Sequence, residues 1–285
     1  MKRIGISTDC MCDLPADYLA AHDVHVMQFY IHTATGRFWN ESEITSNNIL
    51  EYLEEGNSLL RTNAPEPEEC KAYFEGLLAR YDEVVHIATS DKVGLSYPNA
   101  QAALALMGEP AKRVTLINSG AISTGLGHMV MQAVALRDEG KKPAEIAAGC
   151  DAMRGKISNS FIVPNADYLY RMGYASEGVK ILCSLFRVHP VLCTRDGRLA
   201  FKAFRVGNYE RAVTRYVRSE LARGKRIDRR QLFITHAGCP AKVLAQVRAE
   251  VDKLCAFDRV TVTKASAIIA SCCGPRTVGV LYVCQ

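Results

Sequence analysis

Small polar residues gather where apolar runs of the sequence end, and residues of these types could hold an anion. The segment Thr89–Ala100 follows such a run and contains Ser90, Gly94 and Ser96 ahead of Pro98. Ser96 is a natural N-cap, and Pro98 in the first turn predicts a helix over residues 98–106. Free N–H groups and the positive end of a helix dipole favour a carboxylate or phosphate at such a point. An ordinary capped helix would explain the same residues.

Two further segments repeat this design of a strand, a small-residue loop and a helix. Thr62 and Asn63 lie in Arg61–Pro65, where a hydroxyl or amide could meet an anion or simply cap the next helix. Ser119 lies in Asn118–Gly127, whose glycines favour close packing as readily as ligand contact. The segment after the first strand offers Asp9 or Asp13 as a cap for a helix beginning near Pro15.

A catalytic site needs a nucleophile beside an oriented base, and the sequence offers little for one. The seven histidines occur singly, and neither a G-x-S-x-G nor an H-E-x-x-H motif is present. His236 ends a predicted strand before Ala237–Pro240 and is the one site-like histidine, although a structural role suits it too. Cys272 and Cys273 lie in a predicted tight loop, Ala270–Pro275. Too few further ligands lie near the cysteine pairs in the sequence to complete a metal site. We therefore expect that the protein is not an enzyme and that it binds no metal ion.

The composition fits a soluble globular protein of 285 residues, with 48% apolar and 23% charged residues. The chain contains 35 Lys and Arg residues and 30 Asp and Glu residues. This small excess of positive charge gives no reason to expect a nucleic acid partner. Basic residues are concentrated in the segment 211–230. Such a run is typical of a solvated helix face, or it could contact an acidic partner or a phosphate. These basic residues are Arg215, Arg218, Arg223, Lys225, Arg226, Arg229 and Arg230.

The N-terminus and the cysteines predict a cytoplasmic location. The segment Met1–Asp9 reaches a carboxylate too early for a secretory signal, and no run approaches the roughly 18 apolar residues of a membrane helix. Eleven scattered cysteines, an odd number, favour reduced thiols over a disulfide framework.

Alternating strand and helix patterns predict an α/β protein of two domains. Strands at Arg3–Ser7, His25–Ile31, Glu83–Ala88 and Arg113–Asn118 alternate with helices, which indicates a parallel sheet. After residue 156 the strands lengthen, at Phe161–Val163, Leu185–Cys193 and Leu199–Val206, with Asp196-Gly197 as a hairpin turn. We therefore predict a parallel-sheet domain over residues 1–158 and a mixed-sheet domain over residues 159–285.

Taken together, these segments resemble the DegV family of fatty-acid-binding proteins, which includes the FakB subunits of bacterial fatty acid kinases. Thr8–Pro15 resembles the family's T-D-S-T-C-D-L-P, and Thr62 and Pro65 match its T-S-Q-P. Ser90–Ala100 resembles S-x-L-S-G-T-Y-Q-S-A with one extra residue. Asn118–Gly127 resembles D-S…S-x-G-x-G, and Gly274-Pro275 matches part of G-T-H-T-G-P-G. The similarity spans essentially the whole chain.

The resemblance implies a three-layer α/β/α domain, a two-layer α/β domain, and a long-chain fatty acid held between them. The carboxylate would be presented to a partner fatty acid kinase, with no cofactor and no nucleophile from this chain. The implied ligand-binding residues are Thr62, Asn63, Ser90, Gly94, Leu95, Ser96, Ser119, His236, Cys272 and Cys273.

Several family polar groups are replaced in this sequence. Gly94 stands where the family serine holds the carboxylate, Asn63 replaces a serine, and Cys272 replaces a histidine. Asn40 stands in place of an aspartate, and Tyr174 in place of an arginine. An apolar tunnel could still retain lipid, at roughly 0.8 kcal/mol for each buried methylene.

Two alternatives remain open from the sequence. The first is a subunit like that of dihydroxyacetone kinase, in which His236 would bind a small ketone covalently. The second is a diverged sensor or scaffold for another apolar anion, or one with no ligand.

Overall fold

The computed structural model describes residues 2–56, 60–222 and 226–285. In chain order its strands are β1 (Ile4–Asp9), β2 (Val24–Met27), β3 (Tyr30–Thr33), β4 (Gly36–Trp39), β5 (Arg61–Asn63), β6 (Glu83–Ala88), β7 (Val114–Asn118), β8 (Ile157–Ile162), β9 (Val188–Arg195), β10 (Arg198–Val206), β11 (Ile227–Ala237), β12 (Val260–Lys264) and β13 (Thr277–Cys284). Its α-helices are α1 (Ala16–Ala21), α2 (Ser46–Glu54), α3 (Pro67–Leu78), α4 (Ser96–Met107), α5 (Ser123–Asp138), α6 (Pro143–Arg154), α7 (Asp167–Arg171), α8 (Glu177–Leu185), α9 (Tyr209–Leu221), α10 (Ala241–Leu254) and α11 (Ala267–Cys273).

The chain divides into two compact units. The first comprises Met1–Glu43, Leu59–Ile157 and Asp196–Arg198, and the second comprises Ile44–Ser58, Ser158–Arg195 and Leu199–Gln285. The predicted division after residue 158 differs from this in two places. Helix α2 groups with the second unit because it packs against α11 there, with Ile49, Leu50 and Leu53 buried. The 196–198 hairpin turn groups with the first unit.

The first unit is built on a parallel sheet in the order β2-β1-β6-β7. Ile6, Val84, Val85 and Ile87 are fully buried in its strands, which is why these segments read as continuous apolar runs. The carboxyl ends of parallel strands meet at one edge, so the loops after β1, β6 and β7 begin there.

The predicted strand His25–Ile31 is wrong in its continuity. The structure divides it into β2, which pairs with β1, and β3, which joins an antiparallel sheet in the order β4-β3-β5. The apolar run continues without a break because β2 and β3 are both at least partly buried along their length, so hydrophobicity alone does not mark the crossing.

The second unit is built on a six-stranded sheet in the order β10-β9-β8-β13-β11-β12. Strands β11 and β12 run parallel, whereas β11 and β13 run antiparallel, and this confirms the predicted mixed sheet. Helices α9 and α10 pack on it, and Val213, Tyr216 and Val247 are buried in a common core with residues of the strands. The fold class predicted from the sequence is therefore confirmed.

Residues 164–187 depart most from the prediction. The sequence predicts a strand over Leu185–Cys193, but Leu185 ends α8, and β9 begins only at Val188. Ser176 caps α8 by accepting the Val179 N–H, and Arg187 adopts a left-handed φ of 49° that separates helix from strand.

The basic residues predicted as a solvated face are partly paired. Arg218 forms an ion pair with Glu250, with Nε 2.6 Å from Oε1, and Arg230 pairs with Asp228. Arg223 and Lys225 lie outside the described residues.

Candidate functional site

The first turn of α4 presents hydrogen-bond donors with no partner of their own. Leu95 is the N-cap residue and gives no side-chain cap, so the predicted N-cap Ser96 is instead the first helical residue. Ser96 is 2% exposed, and its Oγ has no hydrogen-bond partner among the residues that the structure describes. The backbone N–H groups of Ser96 and Tyr97 lie in the first turn, where a helix supplies no acceptor. This turn can therefore bind an anion.

The loop that leads into α4 is held by its first residues. The Thr89 N–H donates to Asp9 Oδ2 at 2.6 Å, and the Ser90 N–H donates to the Ala121 carbonyl at 3.1 Å. The Ser90 hydroxyl donates to the Gly197 carbonyl at 2.7 Å. Ser90 therefore has a structural role, since its proton is already used.

The end of the same loop is open. A Cβ atom on Gly94 would meet no other atom within 4 Å, and the Leu95 side chain is 63% exposed. Gly94 therefore leaves open space just before α4, and Leu95 places an exposed apolar side chain there.

Thr62 and Asn63 lie on β5, at the edge of the small antiparallel sheet. They do not cap a helix as the sequence allowed, because the N-cap of α3 is Glu66. The Asn99 side-chain amide donates to the Pro65 carbonyl at 2.8 Å and so ties the segment after β5 to the first turns of α4. Thr62 is partly buried and Asn63 is exposed. The structure thus ties the segment after β5 to the first turns of α4.

Ser119 is fully buried in its own turn. Its hydroxyl donates to the Ala121 carbonyl at 3.1 Å and accepts the Ala121 N–H at the same distance. Asn118 Oδ1 accepts the Gly120 N–H at 3.0 Å. These bonds shape the loop before α5 and leave Ser119 without a proton to offer a ligand.

The aspartates after β1 do not act as helix caps, contrary to one expectation. Asp9 precedes a short 3-10 helix without making a side-chain cap, and Pro15 is the N-cap residue of α1. Asp13 instead accepts a bond from the Ser123 hydroxyl at 2.5 Å.

His236 of the second unit is buried and neutralised by its surroundings. Its Nδ1 accepts the Cys239 N–H at 3.3 Å, so the ring proton lies on Nε2. Burial, with a smaller contribution from Lys264, lowers the pKa of His236. Both ring nitrogens lack a free lone pair, so His236 is poorly prepared to act as a nucleophile.

Cys272 and Cys273 lie at the end of α11, where the sequence predicted a tight loop. That prediction is wrong because Ser266 caps a seven-residue helix by accepting the Ile269 N–H, and Gly274, at a φ of 77°, ends it. Burial raises the pKa of the Cys272 thiol, and Ser271 Oγ lies 3.8 Å from its sulfur. Cys273 is buried, and its carbonyl accepts the Thr277 hydroxyl at 2.9 Å. The Cys272 thiol is therefore held in its protonated form at neutral pH.

Helix α8 of the second unit exposes apolar side chains to an unusual extent. Ile181 and Leu182 are each 55% exposed and Leu185 is 71% exposed, while Phe186, just beyond the helix, is 59% exposed. A run of neighbouring apolar side chains in water marks a surface that gains from being covered.

The core of the first unit contains a polar cluster that no sequence pattern predicted. Ser7, Asp9 and His86 are fully buried, and Ser7 Oγ lies 2.9 Å from His86 Nδ1. The signal was a histidine and a serine inside apolar strand runs, but only the β1–β6 register shows that they face each other.

Metal and membrane signals are absent from the part of the chain that the structure describes. Within those residues, no group of three or more His, Cys, Asp or Glu side chains could hold a metal ion. The described helices include none with the length and hydropathy needed to span a bilayer.

Comparison with known proteins gives a consistent set of relatives. The family model described as "Uncharacterised protein, DegV family" matches residues 3–285. A DegV domain-containing protein from Caldanaerobacter subterraneus is 24% identical over 282 residues, covering 99% of each chain. A solved DegV family protein from Thermus thermophilus, described by its fatty acid binding, is 26% identical at a TM-score of 0.87 and covers 99% of this chain and 100% of its own. The Streptococcus pneumoniae fatty acid kinase B3 protein, loaded with linoleic acid, is 16% identical at a TM-score of 0.83, with 99% and 100% covered, and shares the fold.

Proposed function

The chain belongs to the DegV family, and from this premise we propose that it is a binding protein for a long-chain fatty acid. Its role is to hold and present the ligand, and no group of this chain attacks it. The Thermus thermophilus relative, which is described by its fatty acid binding and spans the same length, supports this proposal.

The observation that carries the proposal is the unpartnered Ser96 hydroxyl in the first turn of α4. A buried hydroxyl without a partner costs stability, by about 1–3 kcal/mol. A carboxylate placed at this turn would accept the hydroxyl and the first-turn N–H groups together, in the favourable field of the helix dipole. Ser96 is thus the strongest side-chain candidate among the ten predicted ligand-binding residues, with Thr62 and Asn63 on the segment tied to α4.

The exposed face of α8 supports an apolar ligand. An acyl chain gains roughly 0.8 kcal/mol for every methylene that leaves water, so covering side chains such as Ile181 and Leu185 is favourable. The placement of that chain between the two domains stays a prediction of the family resemblance.

A partner fatty acid kinase is the finer part of the proposal. We propose that the bound carboxylate is phosphorylated by such a partner, acting in the cytoplasm, while this chain supplies the position of the head group. The support is the sequence resemblance to FakB subunits.

A ketone-binding subunit is the less favoured alternative. Covalent attachment would need a free lone pair on His236, but its Nδ1 accepts the Cys239 N–H and its Nε2 carries the proton. A small polar ketone would also leave the exposed apolar residues of α8 uncovered.

Substitution of Ser96 by Ala tests the proposal through two opposite effects. Removing an unpartnered buried hydroxyl should leave the free energy of unfolding unchanged or raise it. The same change should weaken fatty acid binding about tenfold, since a hydrogen bond to a charged group contributes roughly 1.5–3 kcal/mol. Calorimetric titration with oleate and urea unfolding measure the two effects.

Native mass spectrometry provides the direct measurement. Protein purified from a bacterial host should carry a mass equal to that of a long-chain fatty acid, and Ser96→Ala should carry less of it. Repeated preparations with only the bare mass, together with no heat of oleate binding, would contradict the proposal.

A further inference from the structure

Four polar side chains form a cluster in the core of the first unit, between β1, β6 and α3. Ser7 and His86 lie opposite each other in the strand register, and His86 Nε2 is 3.3 Å from Asp9 Oδ1. Tyr73 of α3 faces His86 edge-on, at 6.3 Å between ring centroids. Ser7, Asp9 and His86 are completely buried.

This cluster is costly to the fold. Apart from the 3.3 Å contact that they make with each other, Asp9 Oδ1 and His86 Nε2 have no hydrogen-bond partner among the residues that the structure describes. Burying imperfectly satisfied polar groups disfavours folding, and apolar residues of similar volume would often fill such a core at least as well. An arrangement with this cost is typical of a site that the rest of the fold must hold in a defined geometry.

The Asp9 carboxylate also bonds to a residue outside the cluster. The β1–β6 pairing ends at Thr8 opposite Ile87, and Asp9 Oδ2 then accepts the Thr89 N–H at 2.6 Å, across 80 residues of chain. A carboxylate acceptor makes a short, strong bond to a backbone N–H. It therefore fixes the residue at which the chain leaves the sheet.

The chain beyond Thr89 leads directly to the proposed carboxylate site. Ser90 is bonded through its N–H to Ala121 and through its hydroxyl to Gly197, and six residues later α4 begins at Ser96. The direction in which this loop starts decides where the first-turn donors of α4 lie.

We propose that Asp9 is a positioning residue for the carboxylate site at α4, and that His86, whose ring is oriented by Ser7, supports its carboxylate. This inference rests on the proposed function, because it assigns the site its support from the core. Asp9 acts through the Thr89 N–H, and it does not touch the ligand.

Two substitutions of Asp9 separate positioning from packing. Asp9→Asn keeps an oxygen for the Thr89 N–H and offers an amide to His86, whereas Asp9→Leu keeps the volume and removes the acceptor. We expect Asp9→Leu to weaken oleate binding about tenfold or more, and Asp9→Asn to stay within about threefold of the parent protein. Val85→Ala, at a fully buried position of β6 without polar contacts, is the matched control that should lower stability and leave affinity unchanged.

Amide hydrogen exchange in the ligand-free protein gives a readout that does not depend on binding. The Thr89 amide and the amides of residues 90–95 should exchange at least tenfold faster in Asp9→Leu, and close to the parent rate in Asp9→Asn and Val85→Ala. If the parent protein binds no fatty acid, the proposed function fails while the exchange rates still decide the positioning role. The positioning role of Asp9 would be overturned by an unchanged exchange rate of the Thr89 amide in Asp9→Leu. Equal losses of affinity in Asp9→Leu and Val85→Ala would also overturn it.

A substitution of His86 tests the proposal if Asp9→Leu does not fold. His86→Leu leaves the Asp9 bond to Thr89 possible but removes its support, so it should speed exchange of the Thr89 amide several-fold and reduce affinity. Parent-like exchange and affinity in a folded His86→Leu protein would show that His86 has no part in the positioning.

Discussion

At the scale of single residues, position 94 has room for a side chain beside the candidate site. Gly94 stands where the resembling family motif has a serine, two residues before the unpartnered Ser96 hydroxyl. Its φ lies outside the left-handed range, and a Cβ atom there would meet nothing within 4 Å. The backbone therefore accepts a side chain at this position without strain.

Gly94→Ser should strengthen fatty acid binding. A hydroxyl on this loop would add a donor near the first turn of α4, and a hydrogen bond to a charged group contributes roughly 1.5–3 kcal/mol, or about 10- to 100-fold in affinity. Calorimetric titration with oleate measures the change. Gly94→Ala is the control, since it adds the same Cβ without a donor, and an equal gain in both variants would point to loop stiffening instead.

At the scale of elements, the glycines of α5 show what close packing requires. A Cβ atom on Gly127 would lie 2.9 Å from the Cys12 carbonyl oxygen and 2.9 Å from a methyl carbon of Leu14. Neither the backbone after β1 nor a buried leucine can move away easily. The helix therefore approaches that segment closely only because residue 127 lacks a side chain.

Gly127→Ala should destabilise the protein by about 1–3 kcal/mol through overpacking, despite the better helix propensity of alanine. Gly76 of α3 is the matched control, because a Cβ atom there meets nothing within 4 Å. Gly76→Ala should stabilise the protein by up to about 1 kcal/mol. Urea unfolding of both variants measures these changes, and destabilisation by Gly76→Ala or none by Gly127→Ala would contradict this account of the packing.

The elements that the sequence predicts well are those with a single dominant signal. Strands β6 and β7 lie within a residue of the predicted segments because both are short apolar runs between polar turns. The division of His25–Ile31 into two strands escaped prediction, since both halves are buried and only pairing partners distinguish them. Helix α11 escaped because Ala270–Pro275 contains turn residues, while its N-cap, Ser266, lies earlier in the chain.

The sequence predicts where a candidate site could lie but not how its polar groups are used. Residues after parallel strands are expected to meet at one edge, and that rule points to the loop that leads into α4. The sequence could not show that the hydroxyls of Ser90 and Ser119 donate to the carbonyls of Gly197 and Ala121, because those partners are adjacent only in the folded loops. It also could not pair Asp9 with Thr89, since 80 residues separate them.

At the scale of the whole molecule, two histidines set how stability responds to mild acid. Burial lowers the pKa of His236, and burial also lowers the pKa of His25 despite the opposing charge of Asp23. A group whose pKa is lowered on folding is held neutral, so the unfolded chain binds more protons as the pH falls. Stability from these histidines is therefore present above their ordinary pKa of 6.5 and is lost as the pH falls below it.

The free energy of unfolding should accordingly decrease between pH 7 and pH 5, before the carboxylates contribute. Asp23 and Glu69 have pKa values lowered from 3.8 and 4.5, Asp23 mainly by the Tyr81 hydroxyl and Glu69 by the Tyr30 hydroxyl against the opposing effect of burial. Their stabilisation is lost only at lower pH. Urea unfolding at half-unit pH steps should show a smaller decrease for His236→Gln and the smallest for the variant that also carries His25→Gln, because glutamine does not titrate. A decrease of the same size in the doubly substituted protein would mean that other groups produce the response to mild acid.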